Sequence, residues 1–178
     1  KKKIIEILMK SYSIPKSLKE KTWAWLQDHS MGHRFDANGS RSEQFVGLLG
    51  ENMFRMIIGL PAEFEDGFDG GHDLIFMGRK ADVKTMGRRV DPKPHYVNNF
   101  VGYQKDFDCE LYIFCSINKS TNTFWVCGYT DKETLLTESE FYEKGERRYR
   151  DDGSYFINKA PLYPTCTIVV LPHKLSWL

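Results

Sequence analysis

A chain of 178 residues, 41% hydrophobic and 28% charged, is long enough to bury one sizeable core and has the make-up of a folded domain. Its formal net charge of +1 excludes a strong overall pull toward nucleic acid or an anionic membrane, so any such binding has to come from local clusters. No apolar run reaches membrane-spanning length, the apolar stretch after the basic start KKKIIEILMK is too short for a signal peptide, and the four cysteines (Cys109, Cys115, Cys127, Cys166) form no CxxC pair. The expectation is an intracellular protein with reduced thiols, three of them in strand-like apolar surroundings.

Along the chain, Ser17 and Glu20 read as a capping box before an amphipathic helix on which Leu18, Thr22, Trp25 and Leu26 recur at helical spacing. After the polar stretch MGHRFDANGS, a second capping box, Ser40 to Glu43, opens a helix lined on one side by Phe45, Leu49, Met53, Met56 and Ile57 and closed by Gly59 and Pro61. That helix carries Glu51, between Gly47, Gly50 and Phe54. Each glycine lowers helix stability by roughly 1 kcal/mol relative to alanine, which suggests a close approach at these positions. Arg55, four residues on, is the ordinary salt-bridge partner for Glu51.

Residues 62–72 are acidic and Gly-rich and read as a short strand and a loop. GHDLIFMGRKADVKTM, residues 71–86, follows as a β-hairpin. With Gly78 and Arg79 as the central turn residues, Leu74, Phe76, Ala81 and Val83 share a core face, while Asp73, Asp82 and Lys84 share the other. Beyond a basic loop (MGRRVDPKPH), a helix is expected around Tyr96 to Lys105. CELYIFCSI and TNTFWVCGYT form a second hairpin about a polar turn at Asn118 to Ser120, Thr130 and Glu133 start a short helix, residues 138–152 are charged, and TCTIVVL is a last strand. The order predicts an α/β domain with a mixed sheet.

Three carboxylates, Glu51, Asp73 and Asp82, with no Cys or His at ligand spacing, point to a hard, oxygen-preferring ion, Mg²⁺ with Mn²⁺ as substitute. Such an ion keeps waters and open positions, as phosphoryl-transfer sites require. Lys84 beside it would hold the attacking water and stabilise charge on the phosphate, so the chemistry suggested is phosphodiester hydrolysis. The bland counterpart is a solvated ion cluster, which contributes little.

Gly50-Glu51 on a helix, Gly71-His72-Asp73-Leu74 and Asp82-Val83-Lys84 together resemble the PD-(D/E)XK nuclease superfamily over about residues 40–130, with His72 where the name-giving pattern has proline. The resemblance implies a restriction-endonuclease-like fold, a mixed central sheet flanked by helices. It also implies a single nuclease domain, with a helical part at 1–39, a catalytic core at about 40–130 and a C-terminal helix and strand at 131–178. In it, Asp73 and Asp82 are metal ligands, Glu51 a ligand or the anchor of a metal-bound water, the Val83 carbonyl a further ligand, and Lys84 the catalytic lysine. The expected function is Mg²⁺-dependent DNA endonuclease activity, with a homodimer expected from the resemblance alone. The alternatives are an idle nucleic-acid-binding module of the same fold and a metal-dependent nucleotide phosphohydrolase.

Arg79, Lys80, Arg88, Arg89 and Lys93 flank this site and are candidates for DNA phosphate contacts. Arg147, Arg148 and Arg150 are either further contacts or solvated surface. Tyr96 and Tyr103 fit either base stacking or core, and Gln104 is placed to reach the site from the next helix. His29, His33, His72 and His95 have no metal spacing; His33 and Arg34 read as surface. Glu63, Glu65, Asp66 and Asp69 match no calcium loop.

Overall fold

The computed structural model describes residues 9–29, 40–65, 70–93, 95–159, 166–170 and 175–176. The readings made at His33, Arg34, Asp66 and Asp69, and those of the Tyr103 and Cys166 side chains, lie outside what is described. No helix among the described residues is long and apolar enough to cross a membrane.

Strand β1 (Lys10–Ser13) precedes helix α1 (Lys16–Asp28) and helix α2 (Arg41–Ile57). The expected side of α1 packs inward at Thr22 and Leu26, but its N-cap is Pro15, with no side-chain cap from Ser17. Proline fixes its own backbone angle on entry to the helix, and the Pro15 carbonyl accepts the N–H groups of Leu18 and Lys19 at 3.1 and 3.2 Å, with no side-chain cap. On α2 the expected cap is present: the Ser40 hydroxyl accepts from the Glu43 N–H at 3.2 Å. Gly59, at φ +82, ends the helix with its N–H on the Met56 carbonyl. Leu49 and Met53 are buried as expected, whereas Met56 is 47% exposed, because the apolar stripe runs instead through Val46 and Phe54.

Residues 61–65 and 70–72 form no strand. The first hairpin is β2 (Leu74–Phe76) and β3 (Arg79–Arg88), with Leu74 opposite Ala81 and Phe76 opposite Arg79. Its central turn residues are therefore Met77 and Gly78, both at positive φ (49° and 72°), rather than Gly78 and Arg79. Two residues with φ above zero make the turn whose twist matches that of the strands. The register differs from expectation by two residues, and side chains alternate with period two, so the faces are preserved. Leu74, Ala81 and Val83 face the core.

The expected helix at Tyr96 to Lys105 is instead strand β4 (Asn98–Val101) and a 3₁₀ turn at Gly102–Asp106. This segment is the crossover between β3 and its parallel neighbour β5 (Leu111–Asn118), which forms the second hairpin with β6 (Thr123–Asp131). Helix α3 (Lys132–Glu138) starts one residue later than read, on Asp131, whose carboxylate accepts from Thr134 N–H at 2.7 Å. The charged stretch beyond it holds strands β7 (Glu140–Glu143) and β8 (Arg147–Tyr149), and β8 pairs with β9 (Tyr155–Ile157). Strand β10 (Cys166–Val170) falls where a last strand was expected.

The main sheet has the order β1-β6-β5-β3-β2, antiparallel except for β3 with β5, so an α/β fold with a mixed sheet is observed. Every residue of β5 is buried, because both faces of the sheet are covered. On one face Leu111, Ile113, Cys115 and Ile117 pack with Val46, Leu49, Met53 and Phe54 of α2. On the other, Tyr112 and Phe114 pack with Phe100, Leu135, Ile168 and Val170, beneath a small sheet ordered β4-β10-β7. Ala81 and Val83 belong to the first core, so alternation turns Asp82 and Lys84 toward the second face, where β4 and the 3₁₀ turn lie.

Candidate active site

Lys84 is held on three sides. Its ammonium lies 2.5 Å from Asp82 Oδ2, with side-chain exposures of 18% and 10%. It also donates to Gln104 Oε1 and sits 5.5 Å from the centre of the Phe100 ring. Both neighbours come from the crossover between β3 and β5, so the segment that replaced the expected helix still brings Gln104 to the site. A charge pair this far out of water has to overcome its desolvation, and the hydrogen bond and the ring face both help the ammonium do so. The result is a cation with few rotamers left to it.

Asp73 stands where β2 and β3 part. Its N–H donates to Ala81 O at 2.8 Å, and its Oδ2 accepts the Val83 N–H at 2.7 Å. The carboxylate thus continues the ladder one step beyond the strand and sits against the residue between Asp82 and Lys84. Past this fork the edge of β3 has no strand beside it among the described residues.

Arg55 connects this fork to α2. One guanidinium nitrogen, Nη1, donates to the Asp73 carbonyl at 3.0 Å and lies 3.8 Å from Glu51 Oε1. Nε donates to Pro61 O at 3.0 Å, and Nη2 pairs with Glu63. The expected helical salt bridge to Glu51 is present, but Arg55 is buried and also braces the fork, a part its sequence spacing does not show. Arg55 therefore links Glu51 to the backbone of Asp73, while Asp82 and Lys84 point to the face of the sheet opposite α2. Gly50 explains how α2 comes so near: a Cβ there would lie 2.0 Å from Thr85 Oγ1, whereas one at Gly47 would meet nothing within 4 Å. The close approach expected of both glycines belongs to Gly50 alone.

Among the described residues no three His, Cys, Asp or Glu groups converge as a ready-made metal cage. Mg²⁺ is commonly held by one or two carboxylates together with water and phosphate; of the expected ligands, Asp82 pairs with Lys84 and Asp73 accepts the Val83 N–H. Glu51 connects to the Asp73 carbonyl only through Arg55, and Val83 meets the Asp73 carboxylate through its N–H.

The basic residues divide. Arg79, Arg89 and Lys93 are exposed. Lys80 pairs with Asp108, whose carboxylate raises the lysine pKa. Arg88 is turned inward: Nε donates to Ser116 Oγ at 3.1 Å, Nη2 to Val97 O at 2.9 Å, and its guanidinium lies 5.1 Å from the Tyr96 ring centre. Burial pushes its pKa down. Tyr96 is therefore the stacking partner of Arg88. His29 stacks on Trp25 with ring centres 4.5 Å apart, His95 meets Tyr96 edge-on, and the buried Nδ1 of His72 has no hydrogen-bond partner.

Phe100 is a site residue that the sequence does not single out; it falls within the segment expected to be helical. Cys109, Cys115 and Cys127 are buried free thiols, as expected. Comparison of the chain with protein-family models, with curated proteins and with solved structures finds no match.

Proposed function

We propose that this chain is a metal-dependent deoxyribonuclease with a restriction-endonuclease-like core. The observation that carries the reading is the ammonium of Lys84, fixed by Asp82 and Gln104 one residue from the Val83 amide that Asp73 holds. The parallel pairing of β3 and β5, with α2 packed on one face, agrees with the fold that the resemblance implies.

On this reading Asp73 and Asp82 hold Mg²⁺, or Mn²⁺, with Glu51 and the Val83 carbonyl as further oxygens at its margin. The ion would supply Lewis-acid stabilisation of the phosphate and a more acidic bound water. Lys84 orients the attacking water and donates to a non-bridging phosphate oxygen as negative charge gathers there. Water oxygen forms the new bond to phosphorus, the bond to the leaving sugar oxygen breaks, and one water proton goes to solvent while the leaving oxygen takes one up. Arg79, Arg89 and Lys93 meet the backbone on either side. Arg55 supports a rival reading, a structural ion network on an idle module, because it already braces both Glu51 and the Asp73 carbonyl.

Calorimetric titration with Mg²⁺ and Mn²⁺, beside single-turnover cleavage of supercoiled DNA, separates the two. Asp82→Asn should lose metal binding and cleavage together. Lys84→Ala should keep metal binding and lose about 10² to 10³ in rate. Ca²⁺ should support binding without efficient cleavage, since catalysis needs a compact octahedral ion. Cleavage in excess chelator, or at the wild-type rate in Lys84→Ala, would leave the structural network as the answer.

A further inference from the structure

The β8–β9 ribbon turns its apolar side to solvent. Its register sets Arg147 opposite Ile157, Arg148 opposite Phe156 and Tyr149 opposite Tyr155. Arg147, Tyr149, Tyr155 and Ile157 thus share one face, and Arg148 and Phe156 the other. The second face is tied to the body: Arg148 donates to Asn99 at 3.1 Å and lies 5.2 Å from the Tyr142 ring centre. The first face is open, with Tyr149 65%, Tyr155 48% and Ile157 45% exposed. A ribbon with an apolar face left in water marks an interaction site.

The chemistry of that face selects among occupants. The Arg147 guanidinium lies 4.5 Å from the Tyr155 ring centre, and the Tyr149 and Tyr155 rings are 5.9 Å apart. Aromatic faces beside a stacked guanidinium offer what unpaired bases and their phosphates require. The two strands carry no carboxylate; at the tip Asp152 is folded into its own turn, accepting from Ser154 N at 2.9 Å and Ser154 Oγ at 2.6 Å, and Asp151 and Glu146 are exposed at the two ends of β8. Asn99, which Arg148 grips, directly precedes Phe100 on β4; Phe100 faces inward to Lys84, so alternation sets Asn99 and the ribbon on the outer side of that strand.

We propose that the outward face of the β8–β9 ribbon binds an unpaired strand of the nucleic-acid substrate, Tyr149 and Tyr155 stacking on bases while Arg147 meets phosphates. The identity of the polymer rests on the nuclease reading above. The ribbon makes that reading more specific: the substrate carries an unpaired segment.

The test is fluorescence anisotropy of a labelled oligothymidylate with the full chain in chelator, where nothing is cut. The wild type should bind it more tightly than a duplex of equal length. The Tyr149→Ala/Tyr155→Ala variant should bind it about a hundredfold more weakly, roughly tenfold for each lost ring, and the corresponding Phe pair should bind as the wild type does. Equal affinity of the Ala pair and the wild type would overturn the proposal, as would equal weakening for duplex and single strand. A dimer that the Ala pair dissolves with oligonucleotide affinity unchanged would overturn it in favour of self-association. Since no cleavage enters the measurement, a protein that cuts nothing can still satisfy it, and one that cuts duplex can still fail it.

Discussion

Placing a methyl group at Gly50 tests how α2 is seated on the strand that carries the site. The added Cβ would stand 2.0 Å from Thr85 Oγ1, 2.6 Å from Thr85 Cβ and 2.7 Å from Thr85 Cγ2. A rotamer change moves the hydroxyl and the methyl but not the Thr85 Cβ, so the helix has to retreat from β3 by about 1 Å to reach ordinary van der Waals contact. Overpacking of this kind costs about 3 kcal/mol, the upper end of its usual range. Alanine returns about 1 kcal/mol of helix propensity, which leaves Gly50→Ala about 2 kcal/mol less stable. Gly47→Ala, whose Cβ meets nothing within 4 Å, should instead gain up to about 1 kcal/mol. Urea unfolding followed by tryptophan fluorescence reads both, and a cycle with Thr85→Gly, which removes the clash, should show a favourable coupling of about 3 kcal/mol with Gly50→Ala. If both alanines stabilise equally, or the cycle shows no coupling, α2 does not rest on β3 through Gly50. The account of how Glu51 reaches the fork then fails as well.

Three other outcomes follow from the environments described. Replacing Arg89 and Lys93 together with Ala should weaken DNA binding alike across sequences and reduce the salt slope by about 1.8, which filter binding over a salt series would measure. Arg88→Ala should leave that slope unchanged and cost about 1–3 kcal/mol of stability in urea titration, since it strips partners from Ser116 Oγ and Val97 O. Burial pushes the Cys109 thiol up to about 12 and raises Cys115 and Cys127 as well. These thiols titrate near 8.5 in the unfolded chain. Their stabilising effect is therefore complete below about pH 8.5 and is lost as pH rises toward the folded values, by about 1.4 kcal/mol per unit for each thiol. A flat urea midpoint from pH 8 to about 11 would contradict this.

The parts of the fold legible in the sequence are those where one local signal dominates. Ser40 with Glu43 marks a helix start, and CELYIFCSI with TNTFWVCGYT alternates strongly enough to be read as a hairpin. The face shared by Asp82 and Lys84 was legible even though the turn was misplaced, because a two-residue shift leaves alternation intact, whereas Asp73 lies beyond β2 with its carboxylate on the Val83 N–H. The turn itself was not, since methionine is an unusual occupant of positive φ and a lone glycine suits either Met77-Gly78 or Gly78-Arg79 as the central pair. Tyr96, Phe100 and Gln104 recur every four residues and imitate a helix face, yet they belong to a loop, a strand and a 3₁₀ turn. Arg88 looked like part of a basic loop, but alternation from Asp82 through Lys84 and Met86 places it on the inner face of β3. Strands β8 and β9 were hidden for the opposite reason, since their apolar residues face water and interleave with charge.

The parallel pairing of β3 with β5 also has a consequence for the order in which the molecule folds. The β5–β6 hairpin closes through a short turn, whereas β3 finds β5 only after the whole crossover from Arg88 to Leu111 has been looped back. Contacts distant in sequence require the loop-closure entropy to be met before they stabilise anything, so they form late. Lys84 lies on one side of that crossover pairing and Gln104 within it, so the ammonium gains its full set of partners only when the slow step is complete. In refolding from denaturant, secondary structure should return first, and the charged cluster would be among the last features to assemble.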